Sequence, residues 1–348
     1  MKLKAMRSSV MLAALAISSV AAHAQSEIRF GVFGLFHPKT LSLQASGDRA
    51  LSVNGDGNEV VLSNRGRRQM VLRADGDRVV VERTAATAWN AKARDGSWAR
   101  FQLGVPGKIV RAYAGKLTVT AHHGELTAIV TMDMETAVTS VVAAEMPARA
   151  PLEALKAQAV VTRSFLSAGS RHGEYDFCDT THCQFLRSPE DASRRAVEAV
   201  DATRGMVLAY QQRPLAAMYA SRCGGQTQSL REVGMHAGDG YPYYAVNCKW
   251  CREHPVRWQS RIESTEDSPR PGNETSRIER ARQWGWGAIP GNTFNVERDE
   301  QGLRLSGHSV GHGVGMCQFG AIGMAAAGAD FRSILAHYYP NTALIQGR

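Results

Sequence analysis

Between residues 27 and 135 the chain can form strands and offers almost nothing to a helix. Short runs at 28–32, 40–44, 59–62, 78–82, 100–103, 116–121 and 126–132 alternate apolar with polar residues. Gly55-Asp56-Gly57, Asp75-Gly76-Asp77 and Asp95-Gly96 punctuate them, and such Gly/Asp clusters supply the backbone angles that tight turns need. The expectation is antiparallel β structure serving as scaffold or binding surface, since no residue pattern in it suggests chemistry.

From about residue 136 the period changes. A helix is expected to start at Pro151, whose missing N–H has no partner to lose in a first turn. Leu152, Leu155, Ala159 and Leu166 then share a face, Glu153 and Gln158 lie off it, and Lys156 and Arg163 sit at its edge with their charges in water. Upstream, 140–143 reads as a β-prone run. Glu145 would thus stand at the tip of a strand-to-helix connection, where rigid neighbours can hold a carboxylate for acid–base work. A second helix is expected from Asp191 as N-cap to Gly205, then a hairpin pairing 206–210 with 214–221. Further helices are expected near 276–284, 319–327 and 330–338, and a strand at 302–306. The resulting fold class is α+β, with a β-rich region over 25–135 and an α/β domain over 136–348.

The first 24 residues carry an address. Met1 to Arg7 is positive, 10–20 is mostly apolar and too short to span a bilayer, and Ala22-His23-Ala24 offers a cleavage site. This is the pattern of a secretory leader cut after Ala24, placing the rest in the periplasm or otherwise outside the cytoplasm. No later run is long enough for a membrane-spanning helix. Formal net charge is +9, and removing Lys2, Lys4 and Arg7 with the leader leaves +6. The basic residues are scattered, without a Lys/Arg block or a nucleic-acid motif, so an anionic wall polymer suits the charge better than nucleic acid.

Six cysteines follow the leader, and in an exported chain disulfides are their default state. The loop 172–184 holds His172, Cys178, His182 and Cys183, which suit either a zinc tetrahedron or a Cys178–Cys183 disulfide beside two surface histidines. Cys248-Lys249-Trp250-Cys251 reads as a structural disulfide site, within itself or with Cys223. The glycine-rich run 307–320 lets backbone approach a ligand closely. It lacks phosphate-loop spacing. A Cys317/His312 nucleophilic pair would have no orienting acid, and His312 reads better as a polar wall of a groove.

Four blocks of this chain resemble the stage II sporulation protein D family, also known as amidase-enhancer domains. They are VVAAEMPARAPLEALKAQAVVTRSF at 141–165, Cys183-Gln184, VEAVDATRGMVLAYQQRPLAAMYASRCGGQTQS at 197–229, and GHGVGMCQFGAIGMAAAGADFRSILAHYYPNT at 311–342. The strand IRFGVF at 28–33 is similar to the family's opening. The resemblance implies a catalytic domain with a substrate groove and a peptidoglycan lytic transglycosylase activity, acting on glycan strands stripped of stem peptides. Glu145 matches the family's glutamate, which protonates the glycosidic oxygen and then helps the muramoyl 6-hydroxyl close a 1,6-anhydro ring. That scheme needs one carboxylate, unlike two-carboxylate hydrolysis, and no second acid stands out in the sequence. Partial burial is expected to raise the pKa of Glu145.

By the same resemblance Gln184, Ser221 and Tyr243 fall where the family carries polar groove residues. In at least one branch zinc sits on His and Cys ligands in the loop holding His172, Cys178, His182 and Cys183. Cys223 and Cys317 stand where serine is expected, and Arg222 where threonine is common. The alternative to an enzyme is a glycan-binding module that activates a cell-wall amidase.

Overall fold

The computed structural model describes residues 27–236, 238, 240–263 and 269–347; the leader lies outside them. The strand period of the N-terminal region becomes a sheet of 12 strands. Its main path runs from Phe177–Cys178 through Glu27–Val32, Glu125–Asp133, Ile109–His122, Ala99–Val105, Thr40–Ser46 and Gln69–Asp75 to Arg78–Val81 and Thr84–Ala86. The long strand Ile109–His122 exchanges partners midway. Residues 109–115 pair with Ala99–Val105, whereas 116–122 pair with Glu125–Asp133 and 117–120 also with Ala88–Ala93. Gly115 marks the change, because a Cβ there would meet the Thr131 carbonyl oxygen at 2.3 Å. Alternation carries Leu41, Leu43, Phe101, Leu117, Val119 and Val130 inward.

Seven helices follow among the described residues: α1 Met134–Glu145, α2 Leu152–Ser167, α3 Arg194–Ala202, α4 Lys249–Glu253, α5 Glu274–Trp284, α6 Gln318–Ala326 and α7 Phe331–Tyr338. The first corrects the sequence reading. The β-branched run around 140–143 lies inside α1, not in a strand. Asp133 starts the helix by accepting from the Thr136 N–H and hydroxyl. Ala137, Val138, Val141 and Val142 bury one face, and that burial outweighs the modest β preference of valine. Helix α1 stops at Glu145 because Met146 precedes Pro147 and takes an extended conformation.

Helix α2 is buried more completely than its pattern foretold. Gln158 is fully buried and Arg163 is 2 % exposed. Arg163 makes a two-pronged pair with Glu135 of α1 (Nε–Oε1 3.0 Å, Nη2–Oε2 2.6 Å) and donates to the Met206 carbonyl at 3.1 Å. Helix α3 starts from Ser193, whose hydroxyl accepts from the Ala196 N–H, while Asp191 closes a short 3-10 turn before it. The sheet and helices α1–α3 share one hydrophobic core across residue 135, from Phe30 and Val130 to Val141, Leu155 and Val200. A second core gathers α6, α7 and the strands near 208 and 316. Three strands, Trp258–Ile262, Gly302–Gly307 and Phe294–Asp299, form a small outer sheet with its own apolar cluster.

Candidate active site

The end of α1 opens on a cavity of about 720 Å³ whose walls include Glu145, Gln184, Ser221 and His312. Four distant stretches of chain therefore meet where the sequence expected a groove. Tyr243 is placed elsewhere: it packs in the second core, 1 % exposed, and its hydroxyl donates to the Ala216 carbonyl. Burial accounts for this, since its ring sits edge-on against Tyr241.

Glu145 projects from the last residue of α1 into this cavity. Burial raises its pKa, and two groups work against the shift: the Phe185 N–H, which donates to Oε1 at 3.1 Å, and the Tyr219 hydroxyl. The Tyr219 hydroxyl is itself buried and lies beside the carboxyl without a well-aligned hydrogen bond to it. The backbone end of Glu145 is also held. Gln318, at the first position of α6, donates to its carbonyl at 3.2 Å and to Gln158 Oε1 at 3.2 Å.

Around Glu145 the walls differ in what they offer. Gln184 is 1 % exposed, and neither end of its amide has a partner among the described residues. Such a group is costly unless something binds it. His312 accepts from the Val314 N–H through Nδ1 at 3.0 Å, which assigns its proton to Nε2; burial lowers its pKa and favours the neutral ring. A second carboxylate, Glu274, does line the cavity, which the sequence did not reveal. It is locked to Arg277 by two hydrogen bonds of 2.8 and 2.6 Å, both residues being 5 % exposed. Phe185 and Trp286 also line the cavity and stay exposed.

The loop that carries Gln184 is tied to the sheet. Phe177–Cys178 pairs in parallel with Phe30 and Gly31, and a Cβ on Gly31 would strike the Tyr175 ring at 2.5 Å. Donor atoms of His172, Cys178, His182 and Cys183 all lie within 4.8 Å of one another. His172 Nε2 is 3.3 Å from Cys183 Sγ, and His182 Nδ1 is 3.5 Å from Cys183 Sγ and 3.8 Å from Cys178 Sγ. Two thiols and two imidazoles at such spacing suit the ligand chemistry of tetrahedral zinc.

The structure joins neither Cys248 nor Cys251 in a disulfide, to each other or to Cys223. Cys251 and Cys248 gather with Cys223 and Cys317 in a buried cluster. Cys317 therefore faces Cys251 at 3.5 Å and is no partner for a nucleophilic pair with His312. Sequence reasoning also missed Tyr219, Gln318, Glu274, Arg277 and Trp286. Two of them had a signal: Gln318 lies in the glycine-rich run at 307–320, and Tyr219 in the block at 197–229.

Comparison with known proteins finds related sequences. Residues 122–210 match the family model described as "Stage II sporulation protein", a segment that contains Glu145 and the loop to Gln184. An uncharacterised protein of Brachyspira hyodysenteriae is 28 % identical over 262 residues, covering 65 % of this chain and 70 % of its own. Stage II sporulation protein D of Bacillus amyloliquefaciens is 28 % identical over 251 residues, 59 % of this chain and 72 % of its own. The amidase enhancer of Bacillus subtilis is 47 % identical over 49 residues, 14 % of this chain and 7 % of its own. Residues 122–210 thus match the stage II sporulation protein family, and the chain is similar to stage II sporulation protein D of two Bacillus species.

Proposed function

We propose that this chain is an exported cell-wall enzyme that cleaves peptidoglycan glycan strands by lytic transglycosylation, with Glu145 as its single acid and base. One observation carries the reading. Glu145 is buried so that its neutral form is favoured, while Glu274, the other carboxylate of the same cavity, is tied to Arg277. A neutral carboxyl is what the first step requires.

The steps follow from that state. The Glu145 carboxyl gives its proton to the glycosidic oxygen, and the bond to the anomeric carbon breaks. The carboxylate left behind is steadied by the Phe185 N–H and the nearby Tyr219 hydroxyl. It then takes the proton of the muramoyl 6-hydroxyl as that oxygen attacks the anomeric carbon. The product is a 1,6-anhydro end, Glu145 is neutral again, and no water is consumed. The unpartnered amide of Gln184 suits a sugar hydroxyl or N-acetyl group, and exposed Phe185 and Trp286 suit stacking on sugar faces.

His172, Cys178, His182 and Cys183 would hold a structural zinc ion, which when bound supplies a closed two-sulfur, two-nitrogen knot with no open position for chemistry. The loop they belong to presents the Gln184 amide and the Phe185 N–H to the site. No helix among the described residues is long and apolar enough to cross a membrane, which is compatible with an exported chain.

A second reading, a glycan-binding activator of a cell-wall amidase, is favoured by the segment similar to the amidase enhancer. One comparison separates the two. Wild type and Glu145→Gln are incubated with peptide-free glycan strands, and products are analysed by mass. Anhydro-ended fragments from wild type alone support the enzyme. Retained glycan binding without cleavage by either protein sinks it and favours the activator.

A further inference from the structure

A second knot of side chains lies outside the cavity, and nothing in the proposed chemistry uses it. Cys223, Cys248, Cys251 and Cys317 are all buried, and their four sulfurs lie within 4.8 Å of one another. We propose that these four thiolates bind a second structural zinc ion, independent of the histidine-containing site.

Geometry argues first. A zinc ion at about 2.3 Å from each of four sulfurs makes a tetrahedron with edges of about 3.8 Å. Cys251 and Cys317 are 3.5 Å apart, close to that edge. A four-iron cubane would interpose its own atoms and push the thiolates farther apart. The sequence pattern agrees: Cys248 and Cys251 form a C-x-x-C at the start of α4, a spacing that puts two sulfurs on one ion. Of the two other ligands, Cys317 ends the strand Met316–Cys317, and Cys223 lies three residues beyond Tyr219–Ala220, the strand that pairs with it in parallel.

The surroundings suit thiolates. The Gly320 N–H donates to Cys317 Sγ at 3.4 Å, and the Tyr338 hydroxyl is 3.5 Å from Cys248 Sγ. Cys317 also caps the N-terminus of α6, where the helix dipole favours negative charge. Residue 320 has to be glycine for this arrangement, since a Cβ would come within 2.6 Å of Cys248 Sγ and 2.0 Å of the Tyr338 hydroxyl. Binding would release the thiol protons and leave a tetrathiolate zinc centre without an open position.

The placement gives the ion a structural task. Cys223 lies two residues beyond Ser221 on the cavity wall, and Cys317 immediately precedes Gln318, which holds the Glu145 backbone. The ion would fasten both segments to α4, in a region from 221 to 257 where α4 is the only α-helix among the described residues.

The test uses the full chain exported to the periplasm and purified without added metal. A Cys178→Ser/Cys183→Ser variant, which disables the other knot, is expected to retain one zinc per chain with an all-sulfur shell by X-ray absorption. Cobalt exchanged into it should show a tetrathiolate spectrum. A further Cys251→Ser change should abolish both. Should that variant fail to fold, wild type still decides: Cys223, Cys248, Cys251 and Cys317 should resist alkylation until a chelator and denaturant are added together. Two disulfides among these four cysteines in the native protein, or iron in place of zinc, would overturn the proposal.

Discussion

The side-chain nitrogen of Gln318 lies 3.2 Å from the carbonyl oxygen of Glu145, and the same nitrogen lies 3.2 Å from Gln158 Oε1. Helix ends leave carbonyls without intrahelical partners, and here one such carbonyl belongs to the residue proposed to do the chemistry. The start of α6 thereby fixes the end of α1, with α2 as the backing. The acid's position is set by the fourth sequence block as much as by the first.

Gln318→Leu should therefore lower kcat by about 10–100-fold with KM little changed, as small misplacements of a reacting group do. It should cost about 1–3 kcal/mol of stability, because two buried acceptors lose their donor. Steady-state kinetics on glycan strands with urea unfolding in parallel checks both; an unchanged kcat contradicts the positioning role.

Glu145→Gln should abolish cleavage and leave the fold more stable at neutral pH. Burial raises the carboxyl's pKa above its unfolded value, so the native state holds its proton more tightly than the unfolded chain. Stability contributed by that proton is complete below the unfolded pKa and declines as pH rises through the folded one. The Tm advantage of the variant should thus grow with pH and vanish in acid. Wild-type activity should fall on the alkaline side as the carboxyl ionises. A Tm difference independent of pH would contradict the raised pKa.

Gln184→Leu separates binding from folding. The amide has no partner among the described residues, so replacing it with an apolar group of similar size loses no hydrogen bond to them. Tm should hold or rise, by up to about 1–3 kcal/mol in stability, while glycan affinity falls. Calorimetric binding beside thermal melts reads both, and loss of stability with affinity intact would reverse the assignment.

Arg163→Leu leaves Glu135, 13 % exposed, without its cation, at a cost of about 3 kcal/mol. Urea unfolding should show the lowered midpoint. An effect under 1 kcal/mol would mean the pair contributes little.

Removing the zinc ion proposed for the loop of His172, Cys178, His182 and Cys183 should free the segment that follows. Amide exchange across 178–185 is expected to rise on chelation, with cleavage falling, while the strands 109–122 and 125–133 stay protected. Unaltered exchange in a protein shown to have lost zinc would deny the loop its dependence on the metal.

Much of the β region was legible because a two-residue period and Gly/Asp turns act locally, and the sheet follows them. The run around 140–143 was misread for the opposite reason. Valine's strand preference is worth tenths of a kcal/mol, and burying Val138, Val141 and Val142 against the core contributes more. Arg163 was placed in water because its pattern could not show Glu135 waiting on another helix.

By itself the sequence determined the α+β class, the turn positions, the histidine–cysteine loop and Glu145 as the residue to examine. These depend on neighbours along the chain or on a matched block. Only the tertiary structure decided that Gln184, Ser221 and His312 meet Glu145 while Tyr243 does not, that Glu274 is tied up by Arg277, and that Cys223 and Cys317 complete a knot with Cys248 and Cys251. Burial, which raises one carboxyl's pKa and draws four thiols together, is a property of packed segments distant in sequence.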